Sequence, residues 1–140
     1  MAADFRYVHD NFDANGFMGF IGASFAVLGP GRTEVRVGFR PELSQHNGFF
    51  HGAMSGALAD VACGLAALTL FPPGSNMLAV EYTIHFVEPA LGEELIARAD
   101  VIRKGNRLVS VRCDLFVTRD GTEHLCGAVL ETVTGRRPPI

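Results

Sequence analysis

The stretch LAVEYTIHF, residues 78–86, carries the cleanest alternation in the chain. Leu78, Val80, Tyr82, Ile84 and Phe86 fall on one side of an extended strand, and Ala79, Glu81, Thr83 and His85 fall on the other. Three further strand-like runs follow at 94–102, 108–117 and 123–133, with KGNR (104–107) and RDG (119–121) between them as hairpin turns. Upstream, 23–28 and 33–39 read as a strand pair across GPGR (29–32), where Pro and Gly supply the turn chemistry. No repeat, linker or low-complexity stretch interrupts the series.

Between the first pair and the alternating strand lies a run with a different period. Met54, Leu58, Val61, Leu65 and Leu68 are spaced four, three, four, three, a helical stripe of large apolar residues that FPPG (71–74) ends. Gly52, Gly56, Asp60 and Gly64, spaced by four, form a second stripe of small residues around a carboxylate. A helix apolar on nearly every side must be surrounded, which predicts a sheet wrapped around it with the large stripe packed on that sheet. The small stripe leaves room for a backbone or a thin ligand to approach Asp60. One long helix and five to six strands joined by hairpins give an α+β domain with an antiparallel sheet spanning 1–140. Residues 1–22 form an N-terminal segment, a candidate cap for a pocket.

Composition narrows the function. The 140 residues are 48% hydrophobic and 19% charged, which suits one sizeable core. Net charge is -3, and eleven of the twelve basic residues are scattered arginines, so nucleic acid is not the expected partner. Cys63, Cys113 and Cys126 are odd in number and lack CxxC spacing, which fits reduced thiols in a cytoplasmic protein. The first residues, MAADFRYVHDNFD, show no apolar core of a signal peptide. The apolar window 52–71 approaches bilayer-spanning length, but Asp60 in its middle favours a buried soluble helix over a membrane span.

The candidate chemistry clusters around QHNGFFHGAMSGALAD, residues 45–60. Asp60 reads either as a buried acid satisfied by neighbouring donors or as a general base or nucleophile. His51 reads either as a hydrogen-bonding residue at the helix start or as a base. His46 and His51 lack helical spacing and a third ligand, so no metal or other cofactor is expected. Gly52, at the helix N-terminus, offers an unpaired N–H at the positive end of the helix dipole, open to an approaching carbonyl oxygen.

Gln45, Gly48, His51, Gly52, Leu58, Ala59 and Asp60 together resemble the signature of the hotdog-fold acyl-CoA thioesterases, and most closely the phenylacetate-pathway (PaaI-type) branch. The similarity continues through VEYTIHFVEPALGEEL (80–95) and KGNRLVSVRCDLF (104–116). It implies a hotdog fold and hydrolysis of a medium-chain or aryl acyl-CoA to free acid and CoA. By the same resemblance Gly52 donates to the thioester carbonyl, and Asp60 acts as nucleophile or as general base on water. Gln45 orients the thioester or the water, and His51 shapes the helix start. Substrate contacts are implied for Asn47, Gly48, Phe50 and Gly64, and CoA-nucleotide contacts for Arg103, Lys104 and Arg107. Phe49 and Phe50 read equally as acyl-pocket lining or as core. The resemblance also implies a homodimer, pairing further into a homotetramer, with each site shared between two subunits. Ala53 stands where a second glycine is usual, and Gly64 and Ala79 stand where some relatives carry a hydroxyl. The alternative readings are a hotdog protein that binds acyl-CoA or another apolar ligand without turnover, and a hydratase or dehydratase on the same fold.

Overall fold

The computed structural model describes residues 2–137; Met1 of the expected N-terminal segment and residues 138–140 lie outside the described residues. Two short helices, α1 (Arg6–Asp13) and α2 (Gly16–Ile21), precede the hairpin β1 (Ser24–Gly29) and β2 (Arg32–Gly38). The long helix α3 (Gly52–Leu68) follows, then β3 (Asn76–Phe86), β4 (Glu94–Lys104), β5 (Leu108–Arg119) and β6 (Thr122–Arg136). The strands form one antiparallel six-stranded sheet in the order β1-β2-β4-β5-β6-β3. This is the hotdog arrangement, with α3 lying along one face of the sheet.

Alternation explains the core. Val109, Val111, Cys113, Leu115 and Val117 of β5 are all fully buried, while Ser110 and Arg112 between them are exposed. The face of α3 toward the sheet corrects one expectation. Ala59, Ala62, Cys63 and Ala66 are fully buried, the Ala62 carbonyl accepts from Thr33 Oγ1 of β2 at 2.7 Å, and Cys63 lies against Cys113 of β5. Small side chains let helix and sheet approach closely, so the sheet-facing side is built largely of alanine. Val61, Leu65 and Leu68 of the large stripe turn instead toward α1, where they share a cavity with Phe12. The end of α3 is tied down twice. Thr69 Oγ1 accepts from the Gly31 N–H at 2.7 Å, and the Tyr7 hydroxyl donates to the Phe71 carbonyl at 2.8 Å.

The second correction concerns β3. Its register against β6 slips between Ala79 and Glu81, leaving Val80 as an extra residue. The single apolar side read from residues 78–86 is therefore broken. Ala79, Tyr82 and Ile84 pair with the inward-facing Val133, Glu131 and Val129, while Leu78 pairs with Thr134 on the other side. β3 is also an edge strand, and Leu78 and Val80 are 63% and 56% exposed. Downstream of the bulge its aromatic rings occupy part of the small stripe of α3. A Cβ on Gly52 would meet the Phe86 ring at 3.0 Å, and one on Gly56 would meet the Tyr82 hydroxyl at 2.8 Å. Nothing lies within 4 Å of a Cβ on Gly64.

Candidate active site

The start of α3 is shaped by its own sequence. His51 has extended backbone at the N-cap, and its Nδ1 accepts from the Ala53 N–H at 2.9 Å, which leaves the ring proton on Nε2. Of its two readings, helix-start hydrogen bonding describes this geometry. The Gly52 N–H comes one residue later, has no acceptor inside the helix, and has no partner among the described residues. Residues 44–50 fold back on themselves before it. The Gln45 N–H donates to the Phe49 carbonyl at 2.9 Å, and the Gly48 N–H donates to the Gln45 carbonyl at 3.0 Å. Gly48 sits at φ +82, a conformation open to glycine and costly for most other residues. The Asn47 N–H donates to Gln45 Oε1, so the Gln45 side chain keeps its amide hydrogens for another acceptor. Phe50 is buried edge-on against Phe39, with ring centroids 5.3 Å apart, and it also walls a cavity of about 300 Å³ with Gln45, Gly52, Ser55 and Phe86.

Asp60 opens onto a different cavity. It is half-buried, not fully buried, and shares a space of about 220 Å³ with Phe12, Gly64, Leu65, Asn76 and Ala79. Asn11 and Asn15 of the N-terminal segment line the same space. Gly64 and Ala79, where a hydroxyl is expected in some relatives, both face it. Eight residues separate Gly52 from Asp60, about 12 Å along the axis at 1.5 Å per residue. Within one chain Gln45, Phe50 and Gly52 therefore form one group, and Asp60 and Gly64 form another.

The sequence reading missed Glu131. It lies on β6, on the inward face between Val129 and Val133, only 3% exposed, and it lines the Asp60 cavity. No hydrogen-bond donor reaches either of its carboxyl oxygens among the described residues. Burial, with Cys63 and Asp60 beside it, pushes the Glu131 carboxyl up to about 10. The Cys63 thiol is likewise held protonated, chiefly by Cys113 and by burial. Of the two, Glu131 is thus the buried carboxyl, while Asp60 is half-buried and faces the cavity. A signal was present in the alternation VLETV (129–133), which puts an acidic residue at a position of inward parity.

A basic groove adjoins this cavity. Arg107, Arg136, Arg137, Asn76, Asn106 and Leu78 surround a space of about 540 Å³, and Asn76 and Leu78 line both it and the Asp60 cavity. Of the three basic residues read from the sequence, Arg107 faces this groove. Lys104 lies over the Phe71 ring at 4.7 Å, and Arg103 is exposed beside the β4 bulge. Arg136 and Arg137 lie past the strand read at 123–133, where nothing in the sequence marked them for the groove. Among the described residues no three His, Cys, Asp or Glu group as metal ligands, and no helix is long and apolar enough to cross a membrane.

A family model described as the Thioesterase superfamily matches residues 47–124. A protein of Halobacterium salinarum named as a candidate esterase is 30% identical over 99 residues, 67% of this chain and 65% of its own length. The crystal structure of a thioesterase family protein from Silicibacter pomeroyi is 31% identical with a TM-score of 0.91, covering 94% of this chain and 98% of that one. The Escherichia coli PaaI protein of the phenylacetic acid degradation operon is 17% identical with a TM-score of 0.84, over 97% and 95% of the two chains. A Bacillus halodurans protein solved with CoA is 20% identical with a TM-score of 0.79, over 96% and 91%. At these identities the last two likenesses speak to the fold.

Proposed function

The chain belongs to the Thioesterase superfamily of thioester hydrolases, and we propose that it hydrolyses a medium-chain or aryl acyl-CoA to the free acid and CoA in a site built by two copies of the chain. The observation that carries this reading is the separation on α3. An N–H donor and a carboxylate that act on one carbonyl must lie within a few Å of each other, and Gly52 and Asp60 are about 12 Å apart on one helix. Pairing the open β3 edges of two copies would lay the Gly52 end of one helix beside the Asp60 end of the other. The exposed Leu78 and Val80 give that edge an apolar surface to bury. Such a homodimer, associating further into a tetramer, is the assembly we assign to a cytoplasmic enzyme.

In this reading the Gly52 N–H of one subunit donates to the thioester oxygen as negative charge grows on it, a contribution of about 3 kcal/mol. Gln45 turns its amide hydrogens toward the same oxygen or toward water. Asp60 of the other subunit either attacks the carbonyl carbon, giving an acyl–aspartyl anhydride that water opens, or takes a proton from water as it attacks. Both routes expel CoA as the thiolate. The CoA phosphates fit the groove of Arg107, Arg136 and Arg137, and the pantetheine arm fits the passage past Asn76 and Leu78. Phe12, Val61, Leu65 and Met77 offer apolar lining for the acyl chain. A protein of the same fold, from Bacillus halodurans, has been solved with CoA.

Release of free CoA thiol from short, medium, long and aryl acyl-CoAs tests the reading, with wild type and Asp60→Asn side by side. Turnover of a medium or aryl thioester, and a loss of roughly a hundredfold or more in folded Asp60→Asn, are expected. A wild type inactive on the whole panel, or a variant as fast as wild type, would refute it and leave ligand binding as the activity.

A further inference from the structure

Glu131 has no place in the chemistry above, yet it is a costly residue to keep. Its side chain is 3% exposed, lines the same cavity as Asp60, and receives no hydrogen bond from any described donor. The groups that face it are known from every element packed on it. Asp60 and Cys63 come from α3, Tyr82 is its register partner on β3, and the apolar Val111 is its partner on β5. Cys113 of β5 stands behind Cys63. No cation pairs with it among the described residues.

Asp60 and Cys63 are the polar side chains beside the Glu131 carboxyl, and Asp60 and Glu131 line one cavity. Two ionised carboxylates have only acceptors to offer each other, so neither could satisfy its neighbour. A proton on one of them turns the same contact into a strong charge-assisted bond. Burial settles which one carries it: Glu131 is enclosed beneath α3, while Asp60 meets the open cavity.

We infer that Glu131 is a positioning residue of the hydrolase, donating a hydrogen bond from its carboxyl O–H to Asp60 and so fixing which Asp60 oxygen faces the substrate. The bond occupies one Asp60 oxygen and leaves the other toward the cavity. It takes the place of the hydroxyl that Gly64 and Ala79 do not provide. The inference rests on the role given to Asp60 above, since a positioning residue needs something to position.

The test is the pH profile of kcat and KM for thiol release, measured on wild type, Glu131→Met, Glu131→Gln and Asp60→Asn. Methionine fills the space without a donor, so kcat should fall by roughly tenfold or more, the worth of a hydrogen bond to a charged group. KM should stay nearly constant. Glutamine still donates through its amide, so it should restore most of the rate. Wild type should show an alkaline decline as Glu131 gives up its proton, and glutamine should abolish it. Wild-type kcat in Glu131→Met, or a Glu131→Gln as slow as Glu131→Met, would overturn the inference. Should Glu131→Met fail to fold, an unchanged alkaline decline in Glu131→Gln would overturn it alone. Full activity in Asp60→Asn would instead bring down the proposed mechanism itself, and a slow Asp60→Asn beside a fast Glu131→Met would bring down only the role of Glu131.

Discussion

Replacing Glu131 by Gln should stabilise the protein, and increasingly so as the pH rises. In the fold the carboxyl holds its proton up to about 10, against an ordinary value of 4.5 in the unfolded chain. Below 4.5 both states are protonated and the glutamate is without a pH-linked penalty. Above it the unfolded chain releases a proton that the folded chain retains. The folded state therefore loses about 1.4 kcal/mol per pH unit until the folded group itself ionises. Between pH 5 and pH 8 that is a loss of about 4 kcal/mol from this one residue, a figure independent of the folded value so long as it lies above 8. Glutamine has nearly the same shape, offers Asp60 an N–H donor and does not titrate, so the variant escapes the loss. Urea unfolding at fixed protein concentration reads the effect directly. With a slope of about 2 kcal/mol per molar urea, the variant's midpoint should move from near that of wild type at pH 5 to roughly 2 M above it at pH 8. Fixed concentration matters because subunit association would contribute to the midpoint. A gap that stays constant with pH, or one in which the variant weakens relative to wild type as pH rises, would mean that Glu131 is ionised in the fold.

Two further outcomes concern the surfaces of the proposed assembly. Arg107→Ala with Arg136→Ala should raise KM for an acyl-CoA severalfold, most at low salt. It should leave turnover of a short acyl thioester without the nucleotide nearly untouched, since exposed charge contacts are screened by salt; equal losses on both substrates in steady-state kinetics would argue against a phosphate groove there. Val80→Lys on the open β3 edge should shift the protein toward monomer in light scattering and cut thiol release with it, because lysine on an edge strand opposes pairing. A monomer that remains fully active would refute a site shared between copies.

The helix and the strands were legible because burial on one side imposes a period, and the periods 3.6 and 2 differ enough to be told apart in LAVEYTIHF and in the run from Gly52 to Leu68. The motif residues at the helix start were legible for a similarly local reason. A helix N-terminus leaves its first amides unpaired, and glycine there admits a ligand. Three things were not. The bulge at Val80 reverses the facing of half of β3, and a register slip depends on what β6 presents opposite, not on β3 alone. Alanine faces the sheet while leucines line the Asp60 cavity, because the fit between helix and sheet is decided by the space available on both. Glu131 stands 71 positions after Asp60 in the chain, and its parity on β6 marked it as inward without saying what it would meet. That meeting comes from tertiary packing, which brings β6 against α3 and Glu131 to Asp60 and Cys63. A charge is an attribute of one residue, but the proton it keeps belongs to the neighbours that folding brings to it.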